Sequence, residues 1–174
     1  MVVEVRPLQK ENITQFKKDM QESFQKGAID YFGEIDETVL PKEDIDKSID
    51  SEGAVVYEAI MDNEMVGGAI VIINEQTQHN SLDFLYVKKG IYNKGIGSEI
   101  WFKLEQLHPN TKIWETHTPY FDKRNIHFYV NVCGFHIIEY FNKYHSFPEE
   151  SSDRPDIEYF EDFLRFEKEM NNKK

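Results

Sequence analysis

A single cysteine, Cys133, stands among 174 residues, so no intrachain disulfide can form and a reducing, cytoplasmic setting is expected. Long apolar runs are missing too. The longest, Met65 to Ile73, stops far short of the roughly 20 residues that cross a bilayer, so neither a spanning helix nor a membrane partner is expected. The opening residues, Met1-Val2-Val3-Glu4-Val5-Arg6, lack the basic-then-apolar order of a secretory leader, and none is expected. Positive charge is scarce. Lys and Arg number 20 against 32 Asp and Glu, a net charge of −12 that repels polyphosphate backbones and disfavours nucleic acid, while drawing cationic ligands such as amines. The six histidines are dispersed without a paired spacing, so no metal site is expected.

What is present is material for a core. Hydrophobic residues make up 40% of the chain and aromatics 14%. A chain of this size buries about 70% of its extended surface on folding, which is enough for one domain over residues 1–174 without a staple. The end, Asn171-Asn172-Lys173-Lys174, is expected to fray.

Periodicity orders the elements. Val3 and Val5 begin a strand ending at Pro7, and Asn12-Ile13-Thr14-Gln15 reads as a capping box for a helix with Ile13, Phe16, Met20 and Phe24 on one face. Gly27 and Gly33 bracket a weaker helical stretch, and Pro41 starts a helix carrying Ile45 and Ile49. Val55 to Met61 alternates, Asp62-Asn63-Glu64 turns, and Val66 to Ile73 is nearly all apolar, so the pair reads as a hairpin. Ser81 to Val87 is a further strand. A helix follows with Ile96, Ile100, Leu104 and Leu107 at helical spacing, then a strand at Lys112 to Thr118, a short helix from Arg124 to Val132 closed by Gly134, and strands at Phe135 to Phe141 and from Phe163. Ser151 to Asp156 reads as a surface loop. Hairpins mixed with crossover helices predict a mixed α/β sheet covered by helices rather than a doubly wound parallel one.

The local charge reverses in one place. No acidic residue lies between Asp83 and Glu99, while Lys88, Lys89 and Lys94 are there, and the stretch ends in Gly95-Ile96-Gly97-Ser98 between a strand and a helix. The first-turn amides of a helix have no intrahelical acceptor, and glycines let a phosphate reach them. A Walker A loop would need a lysine and a Ser or Thr directly after Gly95, where Ile96-Gly97 stands instead. A dinucleotide fingerprint would need a third glycine at residue 100, which is Ile100.

The pattern Leu85-Tyr86-Val87, a basic loop, then Gly95-Ile96-Gly97 opening a helix resembles the GNAT acyltransferases. Phe128-Tyr129 and Cys133-Gly134-Phe135 downstream extend the likeness over most of the chain. In this sequence Tyr92 stands where the family loop usually begins with Gln or Arg, Asp122 where an Asn usually precedes the tyrosine by seven residues, and Tyr129 lies five residues before Gly134 where four is commoner. The resemblance implies a mostly antiparallel sheet of about seven strands flanked by about four helices. It implies transfer of an acetyl group from acetyl-CoA to a primary amine of a small molecule or a protein, by direct attack in a ternary complex and without a metal.

By the same resemblance, the backbone of Leu85, Tyr86 and Val87 holds the pantetheine arm. Asn93, Lys94, Gly95, Ile96, Gly97 and Ser98 hold the pyrophosphate, with Asp122 and Asn125 beside the cofactor. An alkyl ammonium with a pKa near 10.4 is only about one part in 10³ neutral at pH 7, so a base or water chain is useful. Candidates are Asp83, and Glu115 with His117, which alternate onto one strand face. An unperturbed aspartate is a weak base, so Asp83 is expected to orient the amine or a water; a surface strand position is the plain alternative. Solvent-facing and structural roles are the plain alternatives for Glu115 and His117, as packing is for Tyr129, the expected general acid toward the departing thiolate. Cys133 reads as a small buried residue. The acidic run Glu34 to Glu52 is either a solvated helical face or, with Tyr31 and Phe32, a lip for a cationic acceptor. The competing functional reading is a non-catalytic acyl-CoA-binding or interaction module of the same fold, in which Tyr92 and Asp122 record a lost or modified activity. A homodimer is compatible with either.

Overall fold

Alternating Val3 and Val5 commit the chain's start to strand β1 (Glu4–Pro7), which lies antiparallel on β2 (Ala54–Met61). The computed structural model describes residues 2–91, 95–148 and 162–171. A 3-10 turn at Lys10–Asn12 leads into α1 (Ile13–Phe32), and Pro41 precedes α2 (Lys42–Ile49). Asp62 and Asn63, at φ of 52° and 65°, form the two-residue turn joining β2 to β3 (Glu64–Ile72). Then come β4 (His79–Val87), α3 (Ile96–Leu107), β5 (Ile113–Pro119), α4 (Lys123–His127), β6 (His136–Phe141) and β7 (Phe163–Glu169).

Among the described residues the strands form one seven-stranded sheet in the order β1-β2-β3-β4-β5-β7-β6. All pairings are antiparallel except β4 with β5. One face packs on α3, with Trp101, Ile100 and Leu104 of the helix against Trp114, Leu164 and Phe166; the Trp101 and Trp114 rings meet edge-on at 5.3 Å. The other face packs on α1 and α2, through Phe16, Met20 and Ile45 against Ile70 and Tyr86. Phe141, Phe147 and Phe163 make a third cluster at the far end. Gly68 explains why α1 seats where it does. A Cβ there would lie 2.4 Å from the Phe16 ring and 2.7 Å from the Tyr57 carbonyl oxygen, so the helix's aromatic fills the space a side chain would have taken.

Three local expectations are corrected. The Asn12 side chain does not cap α1; its Nδ2 donates to Glu58 Oε2 at 2.8 Å, and Arg6 Nε donates to Oε1 at 3.0 Å, which gives the fully buried Glu58 a counter-charge. Gly27 does not divide α1, because the apolar face anchored by Phe16, Met20 and Ala28 holds the helix continuous to Phe32. The helix expected from Arg124 to Val132 is two pieces. α4 gives way to a π-helical turn over Phe128–Val132, in which the Cys133 amide donates to the Phe128 carbonyl at 2.9 Å. Such a turn takes up one extra residue, and so absorbs the longer spacing between Tyr129 and Gly134.

Candidate active site

β4 and β5 run parallel for only three pairs, His79 with Ile113, Asn80 with Trp114 and Ser81 with Glu115. Beyond them the strands part. The β5-facing edge of β4 from Leu82 onward has no strand on it among the described residues, and a cavity of about 810 Å³ opens there. At its apex the Thr116 hydroxyl donates to the Leu82 carbonyl at 2.9 Å, one bond across the widening gap.

A β-bulge sets the phase of β4. Ile70 pairs with Phe84 and Val71 with Leu82, so Asp83 is the extra residue without a cross-strand partner. Leu82 faces the α3 core, while Phe84 and Tyr86 both meet α1, edge-on to Phe24 at 5.8 Å and to Phe16 at 5.4 Å. Asp83 also points to the α1 and α2 side, where it accepts from Ser48 Oγ at 2.7 Å and from Ser81 Oγ at 3.4 Å. Leu85, Tyr86 and Val87 line the cavity. Tyr86 turns its ring into the core, so the cavity meets its backbone. The Val87 carbonyl accepts from Ser23 Oγ of α1 at 3.0 Å.

On β5, Glu115 and His117 line the same cavity. Glu115 is already engaged: Arg165 Nη1 donates to it at 3.1 Å and to Glu167 at 2.7 Å, and His79 Nε2 is 3.5 Å away. His117 stacks among aromatics, 5.5 Å from Phe147 and 6.5 Å from Phe141. Thr116, between them, faces the other way and is hydrogen-bonded with the Tyr129 hydroxyl. Burial raises the Tyr129 phenol above its usual value near 10, with Cys133 and Asp122 adding to the shift. Cys133 itself is pushed up to about 12 by burial, which leaves it a neutral thiol and removes it as a nucleophile.

At the mouth, Gly95 adopts the left-handed conformation at φ 69° and begins α3, its carbonyl accepting from Ser98 Oγ at 2.8 Å. The amides of Ile96, Gly97 and Ser98 have no acceptor within the helix, and all four residues line the cavity. Asn93 and Lys94, expected at the same loop, lie outside the described residues, as do Tyr92 and the loop at Ser151 to Asp156. Across the mouth, Asp122 caps α4 by accepting from the Asn125 amide at 3.0 Å, and burial holds its carboxyl above the usual range. Asp122 and Asn125 both line the cavity.

The structure thus brings Asp83, Glu115, His117, Tyr129, the β4 edge and the α3 N-terminus around one space. Ser48, Ser23 and Thr116 were not foreseen. Ser48 and Ser23 carry no local motif, and Thr116 could have been found only by asking what meets Tyr129 from the opposite strand face.

Residues 15–135 match the sequence profile of the Acetyltransferase (GNAT) family. The chain belongs to that family. A relative in Bacillus subtilis strain 168, the uncharacterized protein YrkN, is 44% identical over 168 residues, covering 93% of this chain and 90% of that one. The PaiA N-acetyltransferase of Thermoplasma acidophilum, solved with coenzyme A, superposes with a TM-score of 0.68 at 18% identity, over 98% of this chain and 100% of that one. A GNAT acetyltransferase of Elizabethkingia anophelis, solved with acetyl-CoA, gives 0.66 at 16% identity, over 97% and 98%. The seven-stranded, mostly antiparallel sheet with four helices is therefore the GNAT fold. No helix among the described residues is long and apolar enough to cross a membrane.

Proposed function

We propose that this GNAT acetyltransferase acts, as a single domain, on a primary amine, of a small molecule or a protein, with acetyl-CoA as the acetyl donor. The observation that carries the reading is the gap between β4 and β5, whose unpaired strand edge runs to the free amides of α3. An extended chain bearing amides suits the edge, and a pyrophosphate suits the helix terminus. The volume of about 810 Å³ admits both the thioester end and an acceptor. Bound there, acetyl-CoA supplies the electrophilic thioester carbonyl.

The chain's own residues do the rest. Asp83, fixed by Ser48 and Ser81, orients the incoming ammonium or the water that takes its proton. The neutral amine nitrogen bonds to the acetyl carbon, the carbon–sulfur bond breaks, and the sulfur leaves as thiolate. Tyr129, kept protonated by its buried surroundings, donates to that sulfur, while the amine's surplus proton departs through Asp83 to water, which returns a proton to Tyr129. His117 and Glu115 wall the acceptor side, Glu115 with its charge balanced by Arg165.

Thermal shift with acetyl-CoA, against adenosine triphosphate and NAD, tests the first half. At 100 times the dissociation constant the stabilisation is about 2.7 kcal/mol, a rise of roughly 5–11 °C at this size. Amines are then screened by free-thiol release. No rise at saturating acetyl-CoA overturns the proposal.

A further inference from the structure

The acceptor side of the cavity has a roof with two crossings. At the first, Tyr31 and Phe32 at the end of α1 pack on Phe121 beyond β5, with ring centroids 5.5 and 4.7 Å apart, and the Tyr31 hydroxyl accepts from the Arg124 amide at 3.1 Å. At the second, Val39 in the connection from α1 to α2 packs against the Phe141, Phe147 and Phe163 cluster on the other half of the sheet. That connection is stitched down onto α1. Gln21 Nε2 donates to the Leu40 carbonyl at 3.0 Å, Gln25 Nε2 to the Glu37 carbonyl at 3.0 Å, and Gln25 Oε1 accepts from the Val39 amide at 2.9 Å. Both crossings stand over the space beneath. A protein amine must bring its chain past these crossings, on one side for an N-terminus and on both for a lysine, whereas a small amine carries none.

The lining mixes charge with rings, and Asp44 and Asp122 stand on it as well as Asp83. Asp83 with its two serines stands near the Ser81 and Glu115 pair. Phe163 lies opposite Pro119, four residues along β5 from Glu115, about 13 Å at 3.3 Å per residue. The lining includes Tyr31, Phe121, Phe163 and His117. Carboxylates at the edges are engaged by cations, Asp30 by Lys26 at 2.9 Å and Glu115 by Arg165 at 3.1 Å.

Resting on the acetyltransferase reading, we infer that the acceptor is a small amine carried on an apolar, ring-sized body, its nitrogen at Asp83 and its body among Phe121, Phe163 and Tyr31. The transfer is unchanged: the nitrogen–carbon bond forms, the carbon–sulfur bond breaks, and coenzyme A leaves as the thiol.

The test is thiol release by the full chain at saturating acetyl-CoA with four probes: 2-phenylethylamine, ethylamine, spermidine and a hexapeptide with a free N-terminus. Burial of a phenyl ring predicts kcat/KM for 2-phenylethylamine about 10- to 100-fold above ethylamine, and above the other two. Phe121→Ala should raise KM for 2-phenylethylamine about tenfold, several times more than for ethylamine, and keep the acetyl-CoA thermal shift. A preference for spermidine or the peptide overturns the inference, as does an equal loss for both monoamines in Phe121→Ala. An acetyl-CoA shift with no thiol release from any probe overturns it too and leaves cofactor binding standing. Absence of the shift removes the acetyltransferase reading and this inference together.

Discussion

Replacing Thr116 with valine removes one oxygen and nearly nothing else. That oxygen is 3% exposed as part of its residue, donates across the splay to Leu82 at 2.9 Å and is hydrogen-bonded with Tyr129. The same oxygen meets the Tyr129 hydroxyl, a contact that lowers the phenol's value against the upward push of burial. Valine would leave a buried carbonyl and a buried phenol without that partner, a cost of about 2 kcal/mol. For a chain of this size the melting temperature should fall by about 4–8 °C, read by thermal denaturation. Tyr129 also loses what fixes its hydroxyl, so kcat should fall about 10- to 100-fold while the acetyl-CoA thermal shift stays. Thr116→Ser keeps the hydroxyl and should recover most of both. A valine variant that melts and turns over like the parent would show that neither contact of the hydroxyl matters.

Other expectations follow from the same geometry. Tyr129→Phe should lower kcat about 10²-fold or more with acetyl-CoA binding retained, and equal losses in both would deny it an acid's role. Because burial raises the Tyr129 value above 10, its proton persists through the working range, and the rate should show no falling limb from this group up to pH 9.5. Asp122 is also raised, so the folded state binds its proton more tightly than the unfolded one; the associated stability is full below about pH 3.9 and lost as pH rises through the folded value. Asp122→Asn, still able to accept from the Asn125 amide, should therefore gain in melting temperature over the parent between pH 4 and 7.5, and a constant gap would contradict this. Gly97→Ala places a Cβ 3.5 Å from Phe128 and 3.7 Å from Val87, ordinary contacts, so the fold should melt unchanged while the acetyl-CoA shift shrinks. Gly68→Ala, by contrast, should cost about 1–3 kcal/mol on denaturant titration, since Phe16 and the Tyr57 carbonyl occupy the space.

Strand order and helix faces were legible because the alternation of Val55 to Met61 and the spacing of Ile96, Ile100 and Leu104 report directly on burial. The loop at Gly95 to Ser98 was legible because a turn-forming glycine before a helix is a local signal. What escaped was decided by residues far apart in the chain. Asn12 abandons the α1 cap because Glu58, 46 positions away, is buried and needs donors. The bulge at Asp83 is invisible in a stretch that alternates acceptably without it, and the Ser48 contact spans 35 positions. Even the extra residue before Gly134, countable in the sequence, did not say that a π turn would take it up.

The three-pair seam between β4 and β5 has a thermodynamic side. A sheet joined so narrowly should open as two units, β1 to β4 with α1 to α3 and β5 to β7 with α4, coupled through the α3 core, the Thr116 hydroxyl, Asn80 with Thr111, and the contacts of Tyr31, Phe32 and Val39 across the cleft. Amides of β5 should exchange with solvent deuterium ahead of those of β3, and a ligand lying along the cleft would act as the missing strand, merging two folding units into one.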